Sequence, residues 1–163
     1  MRQYIYVMTG EVKAGNKDVI LKSSAIGSCI VITAYDKINK VGAMAHIMLP
    51  EKSPENKDSQ KTRYAFNAID ELMNILTKFG AEESNVESCI VGGANILQSE
   101  NDIGQDNISS VEKILREKQI LVTARSLGGI ERRSITLDVR TGLLMCSIGD
   151  ESENILWKFA TKT

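Results

Sequence analysis

A cysteine and the only histidine of the chain lie within a stretch that is typical of a β-hairpin. Residues 30–35 are apolar and rich in β-branched side chains, which predicts a strand, and residues 41–48 form a second apolar run. The polar residues 36–40 between them are few enough for a hairpin loop. Cys29 directly precedes the first strand and His46 lies inside the second, so this hairpin can bring a thiol and an imidazole together.

The register of the hairpin decides how close the two side chains come. If Tyr35 faces Lys40 across a four-residue loop, successive pairing along the strands sets Cys29 opposite His46. A shorter loop at residues 37–38 keeps the same pairs. Directly opposed residues have Cβ atoms about 4.5–5.5 Å apart on one face, whereas a slip of one residue would move one of them to the other face. We therefore predict that Cys29 and His46 are cross-strand neighbours.

A thiol beside an imidazole has the composition of a nucleophile and its base. The thiolate is the reactive form of cysteine, and an unassisted thiol is only partly ionised at neutral pH. An imidazole can accept the thiol proton and later donate it to a leaving amine. The structural alternative is that Cys29 is a small buried apolar residue and His46 a hydrogen-bonded structural one. Residue types and spacing alone leave both interpretations open.

Small and hydroxyl-bearing residues precede the cysteine. Gly27 and Ser28 allow a tight backbone turn, and the amide N–H groups of this segment, including that of Cys29, are candidates to stabilise a developing oxyanion. A third group usually orients the base, and the hydroxyl of Ser23 or Ser24 is the candidate for this role. The stretch thus contains the parts of a covalent acyl-transfer site.

Composition limits the class of protein. With 163 residues, 42% hydrophobic and 25% charged, the chain is predicted to form one domain over residues 1–163. A net charge of −1 does not favour binding to nucleic acid or to an anionic membrane. No apolar run is long enough to cross a bilayer and the first residues do not resemble a signal peptide, so we expect a cytoplasmic protein without direct membrane insertion.

Cysteine and histidine usage gives no indication of a disulfide framework or a metal site. The three cysteines are widely spaced, which fits a reducing compartment, and we predict that Cys89 and Cys146 are core residues. A single histidine without a Cys-x-x-Cys pair does not indicate zinc. We expect no metal and no cofactor.

The sequence predicts two main helices. An apolar stripe predicts a helix over residues 63–79, ended by Gly80. A second helix begins near Asp106 or Asn107, either of which can serve as its N-cap. The tail, residues 150–163, is compatible with a short amphipathic helix.

The other elements are predicted to be strands and loops. Residues 13–17 and 51–62 are polar and are predicted to be loops. About eight strands and two main helices, joined partly by hairpins, indicate an α+β fold. Besides the central hairpin, the predicted strands are residues 4–8, 18–22, 86–91, 120–124, 134–139 and 143–148.

Residues 27–29, followed by residues 41–50, resemble the signature of the CheD family, the chemoreceptor glutamine deamidases of bacterial and archaeal chemotaxis. The similarity runs from about residue 5 to about residue 150. The resemblance implies a layered sandwich of two β-sheets with two main helices on an outer face. It implies that Cys29 is the nucleophile and His46 the base. Ser23, where the family has threonine, would complete the triad.

The resemblance also implies a substrate and partners. A protein-glutamine deamidase would release ammonia and leave glutamate in the cytoplasmic helical domain of a chemoreceptor, without a cofactor. A glutamine on a stiff helix leads us to expect an open groove. A CheC-type phosphatase is an implied partner. The alternative function is that of a non-catalytic adaptor, which binds chemoreceptors or a CheC-type phosphatase and modulates it.

Further family elements lie outside the hairpin. Residues 92–94 resemble its Gly-Gly-Ala element, and Asn95 behind them is a candidate to line the substrate site. Arg133 is a second candidate for substrate lining; the alternatives are that it braces the neighbouring glycine loop or that it is a solvated surface charge. The chain departs from the family pattern at Ser126, where an acid is usual, and at Asp106, where arginine is usual.

Overall fold

The computed structural model describes residues 2–54 and 59–159. Within these residues the chain forms ten strands and two α-helices, with single 3₁₀ turns at Lys61–Arg63 and Glu83–Asn85. In chain order the elements are β1 (Gln3–Tyr6), β2 (Val12–Gly15), β3 (Val19–Ile26), β4 (Ile30–Asp36), β5 (Val41–Ile47), α1 (Ala65–Lys78), β6 (Val86–Gly92), α2 (Ile103–Glu117), β7 (Leu121–Leu127), β8 (Arg133–Asp138), β9 (Leu143–Ile148) and β10 (Asn154–Lys158).

The strands form two mixed sheets that pack face to face. The first sheet has the order β1-β3-β8-β9-β10, and the second has the order β2-β5-β4-β6-β7. One apolar core lies between the second sheet and the two helices, and another lies between the two sheets. The predicted α+β sandwich with helices on an outer face is confirmed. No helix in the described part of the chain is long and apolar enough to cross a membrane.

Strand β4 is central and buried on both faces, which explains its continuous apolar sequence. Ile30, Ile32 and Ala34 point into the core beneath the helices, whereas Val31 and Tyr35 point into the core between the sheets. This alternation follows from the two-residue repeat of a strand. Cys29, just before the strand, packs against the core between the sheets, on the same side as Val31.

The predicted hairpin register is wrong by two residues. Asp36 is opposite Val41 and Val31 is opposite His46, so Cys29 does not directly face His46. The turn is responsible, because the Asp36 carboxylate accepts the backbone N–H groups of the two loop residues that lie two and three positions further on, at 2.9 and 3.0 Å. These bonds extend the strand to Asp36. Cys29 stays on the His46 side of the sheet but is displaced along the strand direction.

Two other predictions are wrong, both at sheet edges. Residues 13–17 were predicted to be a loop, yet Val12–Gly15 forms β2, which pairs antiparallel with β5. The tail was predicted to contain a short helix, yet Asn154–Lys158 forms β10, which pairs antiparallel with β9. In both cases the open edge of an existing sheet supplies backbone partners that local sequence does not reveal. Residues 160–163 of the tail and 55–58 of the predicted loop lie outside the described residues.

Candidate active site

His46 lies on β5, and its backbone is held on both sides by the chain that precedes β2. Its N–H donates to the Glu11 carbonyl at 3.0 Å, and its carbonyl accepts from the Gly10 N–H at 2.8 Å. The side chain is only 4% exposed. The segment that leads into β2 therefore helps to fix the backbone from which the imidazole projects.

Ser23, on β3 of the opposite sheet, contacts this imidazole. Its Oγ lies 2.9 Å from His46 Nδ1 and donates to the Val7 carbonyl at 2.8 Å. A hydroxyl has only one proton to donate, so with that proton on Val7 the Ser23 oxygen accepts from Nδ1–H. This arrangement selects the tautomer with the proton on Nδ1. The other ring nitrogen, Nε2, then keeps its lone pair and can act as a base.

Ser24, the other candidate hydroxyl, is exposed. The strand has an irregularity between Ser23 and Ile26, where Ala25 has the left-handed φ of 53°. Such a bulge turns a strand locally and changes the direction of its side chains. Ser23 therefore points into the space between the sheets, and the chain beyond it turns toward the segment that contains Cys29.

The backbone around Cys29 is fixed by the loop that follows β6. The Gly93 N–H donates to the Cys29 carbonyl at 2.8 Å, and the Ala94 N–H donates to the Gly27 carbonyl at 3.0 Å. Gly92 has a φ of 119°, and a Cβ at this position would collide with the Cys29 carbonyl oxygen. Gly92 is therefore required for the close approach of this loop to the cysteine.

The amide N–H groups of the same segment are free. Within residues 2–54 and 59–159, the N–H groups of Gly27, Ser28 and Cys29 have no backbone or side-chain oxygen as a hydrogen-bond acceptor, although their carbonyls do have donors. Free amides next to a nucleophile are the feature that an oxyanion site requires.

Burial sets the protonation of the cysteine and the histidine. Burial raises the pKa of the Cys29 thiol, an effect that its own backbone N–H partly opposes. Burial lowers the pKa of His46, and the Val7 carbonyl partly opposes this. At neutral pH the resting site therefore contains a thiol and a neutral imidazole, so the proton must leave the thiol when the sulfur attacks.

A cavity of about 560 Å³ opens beside Cys29. Leu97 at its wall is 89% exposed and Ile103 is 52% exposed, so the cavity is open to solvent. Gly27, Ser28 and Cys29 are among the residues that line it. A second cavity, of about 600 Å³, lies between the two helices and has no cysteine or histidine in its wall.

The two predicted substrate-lining residues lie in different surroundings. Asn95 lines the cavity, but its side-chain amide is bonded to the backbone of Ser99 at 2.8 and 3.0 Å. Arg133 is 7% exposed and does not line the cavity. Its guanidinium donates to Ser126 Oγ at 2.9 Å and to the Gly128 carbonyl at 2.8 Å, so it braces the glycine loop.

Helix α2 contributes a residue whose position the sequence did not predict. Asp102 is its N-cap and accepts from the backbone N–H of Gln105 at 2.9 Å, so the predicted N-cap at Asp106 or Asn107 is wrong. Asn107 is instead completely buried on the inner face of the helix. Its Nδ2 donates to the Ser28 carbonyl at 2.9 Å. A polar residue on the same helical stripe as Val111 was the available signal.

The other cysteines lie apart from this site. Cys89 and Cys146 are buried in the core between the sheets, as predicted. Burial raises the pKa of Cys89 to about 11. Among the described residues no group of three or more His, Cys, Asp or Glu side chains is arranged to hold a metal ion.

Comparison with known proteins gives the family. The family model described as "CheD chemotactic sensory transduction" matches residues 48–147. The probable chemoreceptor glutamine deamidase CheD of Chlorobium luteolum is 35% identical over 159 residues, which cover 97% of this chain and 79% of that protein. The chemoreceptor glutamine deamidase CheD of Thermotoga maritima is 34% identical, with 83% of this chain and 86% of that protein covered. A probable deamidase of the same name from Methanococcus maripaludis is 32% identical, with 91% and 100% covered. This chain belongs to the CheD family.

Proposed function

We propose that this protein is a chemoreceptor glutamine deamidase, an amide hydrolase in which Cys29 is the nucleophile. The relatives that carry this name support the reaction. The observation that carries the assignment of residues is the 2.9 Å contact between Ser23 Oγ and His46 Nδ1, because it leaves Nε2 as a free base on the side of the sheet where Cys29 lies.

The first chemical step is attack on the carboxamide carbon of a substrate glutamine. As Cys29 Sγ forms the carbon–sulfur bond, its proton passes to His46 Nε2, and the carbonyl oxygen of the substrate takes up the negative charge. The free N–H groups of Ser28 and Cys29 stabilise that charge. Because the resting pair is neutral, proton transfer accompanies the attack.

The second step releases ammonia. The imidazolium of His46 donates its proton to the amide nitrogen, the carbon–nitrogen bond breaks and a thioester to Cys29 remains. A water molecule then gives a proton to His46 and attacks the thioester carbon, after which the thiolate leaves and is reprotonated. The product is a glutamate side chain, and the enzyme returns to its starting state.

The open cavity suits a side chain that projects from a larger surface. Its exposed apolar walls, Leu97 and Ile103, can contact the substrate on either side of the glutamine. We propose that this surface is the cytoplasmic helical domain of a chemoreceptor and that the enzyme acts in the cytoplasm. A CheC-type phosphatase is a further proposed partner, on the basis of the family resemblance.

The test is mass spectrometry of a chemoreceptor cytoplasmic fragment after incubation with the wild type, Cys29→Ala, His46→Ala or Cys146→Ala. We expect glutamine-to-glutamate conversion with the wild type and with Cys146→Ala, which removes a thiol from the core and controls for the loss of a cysteine. We expect none with Cys29→Ala and a severe loss with His46→Ala.

Conversion by Cys29→Ala would refute the assignment of the nucleophile. If the wild type converts nothing but binds the receptor fragment or a CheC-type phosphatase in a pull-down, the protein is an adaptor and the enzymatic proposal is wrong.

A further inference from the structure

Asn107 connects helix α2 to the two segments that flank the hairpin of the candidate active site. Its Nδ2 donates to the Ser28 carbonyl at 2.9 Å and to the Met48 carbonyl at 3.2 Å. Since both partners are acceptors only, the nitrogen must face them, and the orientation of the amide follows from its surroundings. One side chain thus joins the segment that precedes Cys29 to the segment that follows His46.

The bond to Ser28 fixes a peptide plane that the proposed mechanism uses. The Ser28 carbonyl and the Cys29 N–H belong to the same peptide unit, which is planar and trans, so they point in opposite directions. Asn107 holds the carbonyl toward the helix. The Cys29 N–H is therefore directed away from the helix, and no backbone or side-chain oxygen among the described residues accepts a hydrogen bond from it.

The neighbouring peptide unit is held in a different way. The Gly27 carbonyl accepts from the Ala94 N–H, a backbone donor that no side-chain substitution removes directly. The orientation of the Ser28 N–H is therefore independent of Asn107. Of the two proposed oxyanion donors, only the Cys29 N–H depends on a side chain, which makes its contribution separable by mutation.

The sequence of α2 is adapted to bring Asn107 to this position. A Cβ at Gly104 would collide with the carbonyl oxygens of Gly93 and Ala94, so only glycine lets the first turn of the helix lie against that loop. Asn107 follows three residues later and reaches the Ser28 carbonyl from the same side.

The side-chain amide of Asn107 is only half satisfied. Its Oδ1 is buried and has no hydrogen-bond partner among the described residues. An unsatisfied buried polar atom costs about 1–3 kcal/mol, which offsets part of what the two hydrogen bonds of Nδ2 contribute to folding. The amide therefore contributes through the two carbonyls that its Nδ2 holds.

We propose that Asn107 is a positioning residue that directs the Cys29 N–H toward the oxyanion of the substrate, without contacting the substrate itself. This inference rests on the proposed deamidase function. It adds a side chain of α2 to a site whose other members lie on the strands and their connections.

The test compares two reactions of the same thiol in the wild type and in Asn107→Leu, which keeps the size of the side chain but removes its donors. Alkylation of Cys29 by iodoacetamide forms a carbon–sulfur bond, expels iodide and creates no oxyanion, so it does not require an oxyanion donor. Deamidation of a receptor fragment requires the oxyanion donors. Loss of one such donor lowers kcat by about 10²–10³-fold in other enzymes.

We expect Asn107→Leu to lower kcat by about 10²-fold or more, with KM and the alkylation rate close to those of the wild type. Asn107→Asp, which places oxygens against two carbonyls, should show the same split. An equal fall in both reactions would mean that Asn107 only maintains the fold, and wild-type kcat in either variant would also overturn the inference. An inactive wild type would instead refute the proposed function, and the positioning role with it.

If neither variant folds, the wild type supplies a second measurement. The Cys29 thiol adds across the carbonyl of a peptide aldehyde that replaces the glutamine carboxamide and forms a hemithioacetal, whose hydroxyl oxygen takes the position of the oxyanion. We expect the NMR signal of the Cys29 amide proton to move downfield on binding, because the proton then donates to this oxygen. An unmoved signal would overturn the inference.

Discussion

Removal of the Ser23 hydroxyl tests the contact on which the proposed active site depends. In Ser23→Ala the Val7 carbonyl loses its donor at 2.8 Å and His46 Nδ1 loses its acceptor at 2.9 Å. Both atoms stay in a part of the molecule where Ser23 is 1% exposed and His46 is 4% exposed, so water replaces the hydroxyl poorly. Ser23→Thr, which keeps a hydroxyl at this position, is the matched control.

The structure sets the size of the expected effects. A buried polar group left without its partner costs about 1–3 kcal/mol, and we expect the free energy of unfolding of Ser23→Ala to fall by that amount. A neutral hydrogen bond contributes about 0.5–1.5 kcal/mol net, which corresponds to a roughly twofold to tenfold loss in kcat. A larger loss is not expected, because the hydroxyl carries no charge to stabilise the imidazolium.

Three measurements follow from this substitution. Urea denaturation gives the free energy of unfolding, ammonia release gives kcat, and ¹⁵N NMR of the single histidine gives its tautomer and pKa. We expect the pKa of His46 to be lower in Ser23→Ala than in the wild type, because the imidazolium loses an acceptor for its Nδ1 proton. Ser23→Thr should keep the wild-type tautomer and most of the activity.

Wild-type kcat, tautomer and pKa in Ser23→Ala would refute the role of Ser23 in orienting the base. A 10⁴-fold loss, as seen when a triad carboxylate is removed from a serine protease, would also contradict the reasoning, because it would require an electrostatic contribution that a neutral hydroxyl cannot make.

Three further predictions concern protonation, backbone approach and the two adjacent arginines. Since burial lowers the pKa of His46, an NMR titration should give a value below 6.5. The contribution of neutral His46 to the free energy of unfolding should be fully present above the ordinary pKa of histidine. It should be lost as the pH falls through the lowered pKa, and an unshifted titration would contradict this. Gly92→Ala should greatly reduce stability and deamidation because the new Cβ collides with the Cys29 carbonyl. Gly80 also has a positive φ, of 102°, but a Cβ there meets no other atom, so Gly80→Ala should lower the free energy of unfolding by only about 1–3 kcal/mol and keep full activity. Arg133→Gln should lower the free energy of unfolding by about 1–3 kcal/mol without changing KM, because Arg133 braces the glycine loop. Arg132→Gln, at the cavity wall, should raise KM without lowering stability. The reverse pattern would show that Arg133 binds the substrate.

The elements that the sequence predicts best are those with strong local patterns. The apolar stripe of α1 and the β-branched run of β4 are visible because burial repeats with the period of the element. The strands β2 and β10 lack such a pattern, since each is fixed by pairing with an edge that exists only in the folded sheet. The sequence therefore predicts the class of the fold but undercounts its strands.

The candidate site shows a similar division. The residue types of Cys29 and His46 suggest the chemistry, but their relation depends on the hairpin register, which the Asp36 turn shifts by two residues. The Ser23 contact joins the two sheets, and the Asn107 contact joins a helix to a loop 79 residues earlier in the chain. Neither contact follows from local sequence, because each depends on how separate layers pack.

The most direct test of the central claim is to capture the covalent intermediate on Cys29. The wild type is mixed with a chemoreceptor cytoplasmic fragment, quenched in acid during turnover, digested and analysed by mass spectrometry. The account predicts a thioester between Cys29 and a glutamine-derived side chain, which hydroxylamine cleaves and which is absent from Cys29→Ser. An adduct on another residue, or undiminished deamidation by Cys29→Ser, would contradict the account.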